Sequence, residues 1–159
     1  MDDSDQLNFE TRYYEALQLF QDLWLGATLE NIFGILRRKP TFLCNFDGIR
    51  RDLNLHTSAY RGLQEISIKQ IVGSVGRDQD FTRHFRPRRR NMRSRWAGVY
   101  ASATSPIGLP PIKLYQVCDS YFVLDGHHRV SVAYNLKIRT IEAEIITFST
   151  NVCLPTVCL

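Results

Sequence analysis

Long apolar runs are missing from this chain. No stretch approaches the ~18 consecutive apolar residues that a bilayer-spanning helix requires, so no membrane partner is expected. The acidic start Met1-Asp2-Asp3-Ser4-Asp5 is the reverse of a secretory n-region, so a cytoplasmic protein is expected. Cysteine is sparse. Cys44, Cys118, Cys153 and Cys158 form neither a CxxC pair nor a His-paired metal spacing, so they read as thiols and no metal site is expected. The ending Thr156-Val157-Cys158-Leu159 has its cysteine in the wrong place for prenylation. No internal repeat is visible. Acidic residues are absent from one segment in particular, Arg83 to Arg95.

What is present suits one folded unit. The 159 residues are 44% apolar and 11% aromatic, enough for a single sizeable core. The formal charge is +4, yet Arg83, Arg86, Arg88, Arg89, Arg90, Arg93 and Arg95 alone exceed it, so the rest of the molecule is net negative. Basicity is local, and a confined basic patch attracts phosphate without making the whole surface adhesive.

The apolar pattern divides the chain into an N-terminal helical segment (1–61), a main domain (62–148) and a tail (149–159). Tyr13, Ala16, Leu17, Phe20 and Trp24 recur at helical spacing; Gly26 is expected to stop that helix and Thr28 to cap a second, carrying Leu29, Ile32, Phe33 and Leu36. A shorter helix is expected between Asn45 and Leu55. These apolar stripes must be covered by the main domain or across a homodimer. Ile66, Ile68 and Ile71 predict a strand leading into Gly73-Ser74-Val75-Gly76-Arg77. A helix follows around Trp96 to Ser102, then a strand at Ile112–Val117, a turn at Cys118-Asp119-Ser120 and a return strand from Tyr121 to Leu124. A helix from His127 to about Asn135 and a strand from Ile141 to Phe148 complete an α+β fold, a small mixed sheet with helices.

The turn between the last two of these strands and helices carries the chemistry. A strand that enters a helix through Asp125-Gly126 presents unpaired backbone N–H groups at the positive end of the helix dipole, which favours phosphate. His127 and His128 add ring donors, and Arg129 adds a planar guanidinium fork. Gly126 permits close backbone approach, and Asp125 is placed to cap the helix or to hold a histidine tautomer. Asp125, Gly126, His127, His128 and Arg129 are therefore the expected nucleotide-binding residues. Gly73 and Gly76 read as turn-shaping glycines.

In this order, the glycine turn, basic helix, Leu109-Pro110-Pro111-Ile112, hairpin and Tyr121-Phe122-Val123-Leu124-Asp125-Gly126-His127-His128-Arg129-Val130-Ser131-Val132-Ala133 resemble the ParB/sulfiredoxin superfamily over roughly half the chain. The resemblance implies that the turn holds the phosphates of CTP, as in ParB proteins, or attends phosphoryl transfer from ATP or ADP, as in the related free serine kinases. Sulfiredoxin activity is not expected, because His127 stands where those enzymes carry a cysteine nucleophile. No helix-turn-helix module follows, so centromere reading is not expected either.

Two functions follow as expectations. In the first, a ParB-like module uses nucleotide occupancy to control contact with DNA or RNA or with a second subunit, its electrostatic footprint being the seven arginines, which are interleaved with Phe81, His84, Phe85 and Trp96. In the second, a small-molecule kinase steadies the transferred phosphoryl with His128 and Arg129, bridges the phosphates with Mg2+, and uses Asp78 or Glu65 as base. The first is preferred, since the arginine cluster is larger than a kinase pocket needs.

Overall fold

A computed structural model describes residues 3–38, 40–106 and 108–150. The chain begins with one 34-residue helix, α1 (Asp3–Leu36), followed by β1 (Cys44–Asn45), α2 (Phe46–Asp52), β2 (Ser58–Ser67) and β3 (Ile71–Ser74). Then come α3 (Arg93–Ala103), β4 (Ile112–Val117), β5 (Ser120–Asp125), α4 (His127–Asn135) and β6 (Thr140–Phe148). The fold is α+β. Six strands form one mixed sheet in the order β1-β3-β5-β4-β6-β2. β1, β3 and β5 run parallel, β5 and β4 form the hairpin, β4 pairs parallel with β6, and β2 closes the far edge antiparallel to β6.

The expected break at Gly26 does not occur. Glycine inside a helix costs only about 1 kcal/mol relative to alanine, and the buried face runs straight through it: Ala16, Phe20 and Ala27 are all within 2% of complete burial. Phe20 meets Trp96 of α3 edge-on at 6.0 Å. Trp24 Nε1 donates to the Arg88 carbonyl at 3.0 Å, and Thr28, expected as a cap, instead donates its hydroxyl to the Trp24 carbonyl. The short helix between Asn45 and Leu55 is present as α2, capped by the Asn45 side chain, which accepts from Gly48 N.

The predicted strand through Ile66, Ile68 and Ile71 is in fact two. A 3-10 turn at Ile68–Gln70 separates β2 from β3, sending them to different places in the sheet. The boundary drawn at residue 62 falls inside β2, and β1 lies before it, so the sheet draws on both sides of that boundary. Gly73 sits within β3, where a Cβ would lie 2.3 Å from Phe122 and 2.5 Å from the Cys44 carbonyl; it is a close-packing glycine of the sheet. Gly76 does occupy a turn, at φ +70°. Cys44 is disulfide-bonded, correcting its reading as a thiol, because sequence spacing does not reveal which sulfurs become spatial neighbours.

Two apolar clusters sandwich the sheet. One joins α1, α3 and α4 through Phe20, Phe85, Trp96, Val123 and Val130; the other joins α2 to the opposite face through Phe46, Ile49, Val117, Phe122 and Phe148. No helix among the described residues is long and apolar enough to cross a membrane. β3 and β5 are parallel neighbours whose C-terminal ends, Ser74 and Asp125, open onto the same rim. Loops leaving the carboxyl ends of parallel strands are where such sheets expose backbone for ligands.

Candidate functional site

Gly126 adopts the left-handed conformation, φ +97°, at the N-terminus of α4 and gives no side-chain cap. No other residue fits there: a Cβ would stand 2.5 Å from Ile112 Cγ2, in addition to the positive φ. Val130 N bonds back to the Gly126 carbonyl at 3.0 Å, so the N–H groups before it precede the helical ladder. Asp125 does not cap them. Its carboxylate turns to Arg129 Nη2 at 2.7 Å, an i,i+4 pair across the turn. Arg129 also donates to the Pro110 and Pro111 carbonyls, at 2.9 and 2.5 Å, tying the segment before β4 to the start of α4.

Asp125, Gly126, His127, His128 and Arg129 line a cleft of about 70 Å3, and Arg77, Arg95 and Val99 complete it. Three guanidinium-bearing side chains thus meet at one helix N-terminus, from three different parts of the chain. Arg77 comes from the turn after β3, Arg95 from the first turn of α3 and Arg129 from α4. Arg77 is held by Asp80, whose carboxylate receives Arg77 Nε and Arg89 Nε, each at 2.8 Å. Arg95 is exposed. The sequence reading left Arg77 out of the site. Its signal was position, directly after the glycine turn that ends a strand, but nothing local shows that β3 lies beside β5.

The two histidines do not project as free donors. Both are only 5% exposed. His127 stacks 6.2 Å from Phe81, and its Nε2 lies 2.7 Å from Ser74 Oγ. A backbone hydrogen bond with Val123 occupies the ring as a donor, so Nε2 accepts the Ser74 hydroxyl proton. Ser74 is fully buried, and this pair orients a ring; it does not offer a nucleophile. His128 packs edge-on to Phe81 at 5.6 Å, and its Nδ1 is buried without a hydrogen-bond partner. Burial pushes both imidazoles down to about 4, with the Arg77 cation as the next cause; Arg95 acts further on His128. At neutral pH the histidines are uncharged floor residues, and the cleft's positive charge comes from arginine.

The seven-arginine segment is heavily engaged. His84 Nδ1 lies 2.7 Å and Arg86 Nη1 3.5 Å from the Glu30 carboxylate of α1. Arg88 stacks on Phe42 at 4.3 Å and donates to the Gln79 carbonyl. With its amide oxygen turned toward Arg88, Asn31 of α1 accepts from Nε and Nη2 at 3.1 and 3.0 Å. Arg90 covers Trp24 at 4.2 Å, and Arg93 Nε donates to the Leu17 carbonyl. Most of the segment therefore fastens α1 to the stretch that leads into α3. Arg95 alone of the seven reaches the α4 cleft, and Arg83 borders two grooves beside Pro40.

The carboxylates considered as bases lie apart from the cleft lining. Asp78 accepts from Asn45 Nδ2 at 2.8 Å, and Glu65, on β2, accepts from Thr140 Oγ1 at 2.5 Å. Among the described residues, no three His, Cys, Asp or Glu side chains gather as a metal-ligand group. No family model, curated protein or solved structure matches this chain.

Proposed function

We propose that the protein is a ParB-like nucleotide-phosphate-binding module whose α4 N-terminus receives a phosphoryl group. The observation that carries this reading is the convergence of Arg77, Arg95 and Arg129 on a cleft at an uncapped helix N-terminus. Guanidinium forks, backbone N–H groups and the helix dipole all favour a tetrahedral oxyanion there. The size agrees. A void of about 70 Å3 takes several water-sized groups, hence one phosphoryl, whereas a whole drug-sized ligand needs roughly 300 Å3 or more. The sugar and base of CTP, ATP or ADP would lie outside, across the rim that Val99 and Arg95 form.

The kinase reading is weaker on geometry. A base must come within hydrogen-bond reach of the proton it removes, and the carboxylate at the cleft, Asp125, is already paired with Arg129. Mg2+ would have to rely mainly on phosphate oxygens. Regulation of DNA or RNA contact by the bound nucleotide remains part of the proposal, carried by Arg83, Arg95 and the exposed faces of the other arginines.

The test is a titration of the full chain at low salt with inorganic phosphate, pyrophosphate, CTP, ATP, ADP and GTP, with and without Mg2+, read by calorimetry and by thermal shift. At least one should bind. Arg95→Gln, at an exposed position, should keep the fold and weaken that binding by roughly 10- to 100-fold, as expected for a lost charge-assisted contact. Unchanged affinity in Arg95→Gln, or no binding by the parent, would remove the reading. Transfer of phosphate from ATP or ADP to a hydroxyl substrate would replace it with the kinase.

A further inference from the structure

We infer that α1 is an antiparallel dimerisation helix that pairs with the α1 of a second copy along its solvent face. The helix has two faces of different character. Tyr13, Ala16 and Phe20 turn toward α3 and the core, and Ala16, Phe20 and Ala27 are buried. On the other side Leu7, Thr11, Tyr14, Gln18, Gln21, Leu25, Thr28, Ile32 and Ile35 follow one another at alternating spacings of four and three, and every one is exposed. That is the spacing of a coiled-coil seam. Leu25 is the least exposed of its large apolar members, at 49%, and Ile35 the most, at 80%.

The occupant is identified by self-complementarity. The first and last residues of α1 place its midpoint between Leu19 and Phe20. A two-fold axis there overlays two copies along their whole length, about 51 Å at 1.5 Å per residue. It sets Leu7 opposite Ile32 of the second copy and Tyr14 opposite Leu25, so large apolar side chains meet large apolar side chains. Thr11 faces Thr28, and their hydroxyls are already satisfied by the Leu7 and Trp24 carbonyls, so that layer leaves no hydroxyl wanting a partner. Gln18 faces Gln21 at the axis, where paired amides fix register and direction.

Charge agrees with the same direction. Asp3 and Asp5 begin the helix, and Arg37 and Arg38 follow its end, so antiparallel copies bring acidic and basic ends together while parallel copies bring like ends together. Leu29 and Leu36, 55% and 78% exposed, widen the apolar band beside the seam. One contact opposes the pairing: Glu15 and Asp22 are exposed beside the seam, and the symmetry brings each near the other's counterpart on the second copy. That repulsion supplies a test of direction.

Sedimentation analysis of the full chain from about 1 to 100 μM should show a monomer–dimer equilibrium. Leu25→Glu with Ile32→Glu, both at exposed positions, should abolish the dimer while leaving the helical circular-dichroism signal intact. Asp22→Lys should tighten dimerisation by roughly fivefold or more, because two repulsive pairs become attractive. A parent that stays monomeric throughout, a double-Glu variant that dimerises like the parent, or an Asp22→Lys variant that dimerises no better would each overturn the inference.

Discussion

His127 and His128 show how a residue type that suggests a ligand contact in sequence becomes part of a floor in the fold. Packed against Phe81 and beside Arg77, they are held neutral, with values near 4 against an ordinary 6.5. The unfolded chain takes up protons at these rings below about pH 6.5, whereas the folded chain does so only near pH 4. Stability is therefore at its full value above about pH 6.5 and falls as the pH drops toward 4, at up to ~1.4 kcal/mol per pH unit for each ring. Urea midpoints between pH 7.5 and pH 4.5 measure this. His128→Phe keeps a ring against Phe81 and removes one titration, so its profile should be shallower than the parent's; parallel profiles would show that His128 does not titrate in this way. At the same scale Arg77 is held by Asp80, which simultaneously engages Arg89, and its guanidinium lies over the Phe81 ring against which both histidines pack.

At the scale of elements, α1 is the instructive case. Its apolar residues were legible at helical spacing, but cover was found for only the first of the two stripes: Ala16 and Phe20 are buried, whereas Leu29, Ile32, Phe33 and Leu36 are exposed. The break at Gly26 was not real, because glycine was weighed as a local stop signal and the packing that carries the helix through it is non-local. Arg86 lies against Gly26, its Nη1 3.3 Å from where a Cβ would be, and this is the end of a flexible side chain that can shift. Gly26→Ala should therefore raise stability by about 0.5–1 kcal/mol through helix propensity. A helix ending at Gly26 in a left-handed cap would give the opposite sign, and chemical denaturation of the two proteins distinguishes them. The sequence marks α4 more reliably, because the strand, the Asp125-Gly126 turn and the helix are contiguous in the chain.

At the scale of the whole molecule, the arginine segment acts first as an attachment between α1 and the rest of the fold. Glu30, Trp24, Phe42, Asp80 and the Leu17 carbonyl take up much of its charge or its guanidinium faces. This limits what it can do to nucleic acid. Seven free arginines would release counterions at several phosphates at once, but the arrangement here leaves about two or three cations available. Any DNA or RNA affinity should accordingly fall with log salt at a slope of roughly −2 to −3, not −6. Filter binding from 25 to 200 mM salt measures it, and a slope near −6 would mean that the internal partners are exchanged for phosphates on binding.

Local order along the chain determined the α+β class, the hairpin, α4 and the Asp125–Arg129 turn, because each depends on residues only a few positions apart. The apolar periods of three to four in the helices and two in the strands were sufficient for that. Which segments become neighbours was decided only by the tertiary structure. β3 and β5 are separated by about fifty residues in the chain and lie side by side in the sheet, and that adjacency brings Arg77 to Arg129. The packing of α3 on α4 does the same for Arg95, and the docking of α1 turns most of the remaining arginines inward. Side-chain charge is a property of the sequence, but whether a charge meets solvent, a carboxylate or a common cleft is set by contacts between residues far apart in the chain. The buried, neutral state of His127 and His128 has that same origin, since burial is what shifts them and no pattern of neighbours in the chain reports it.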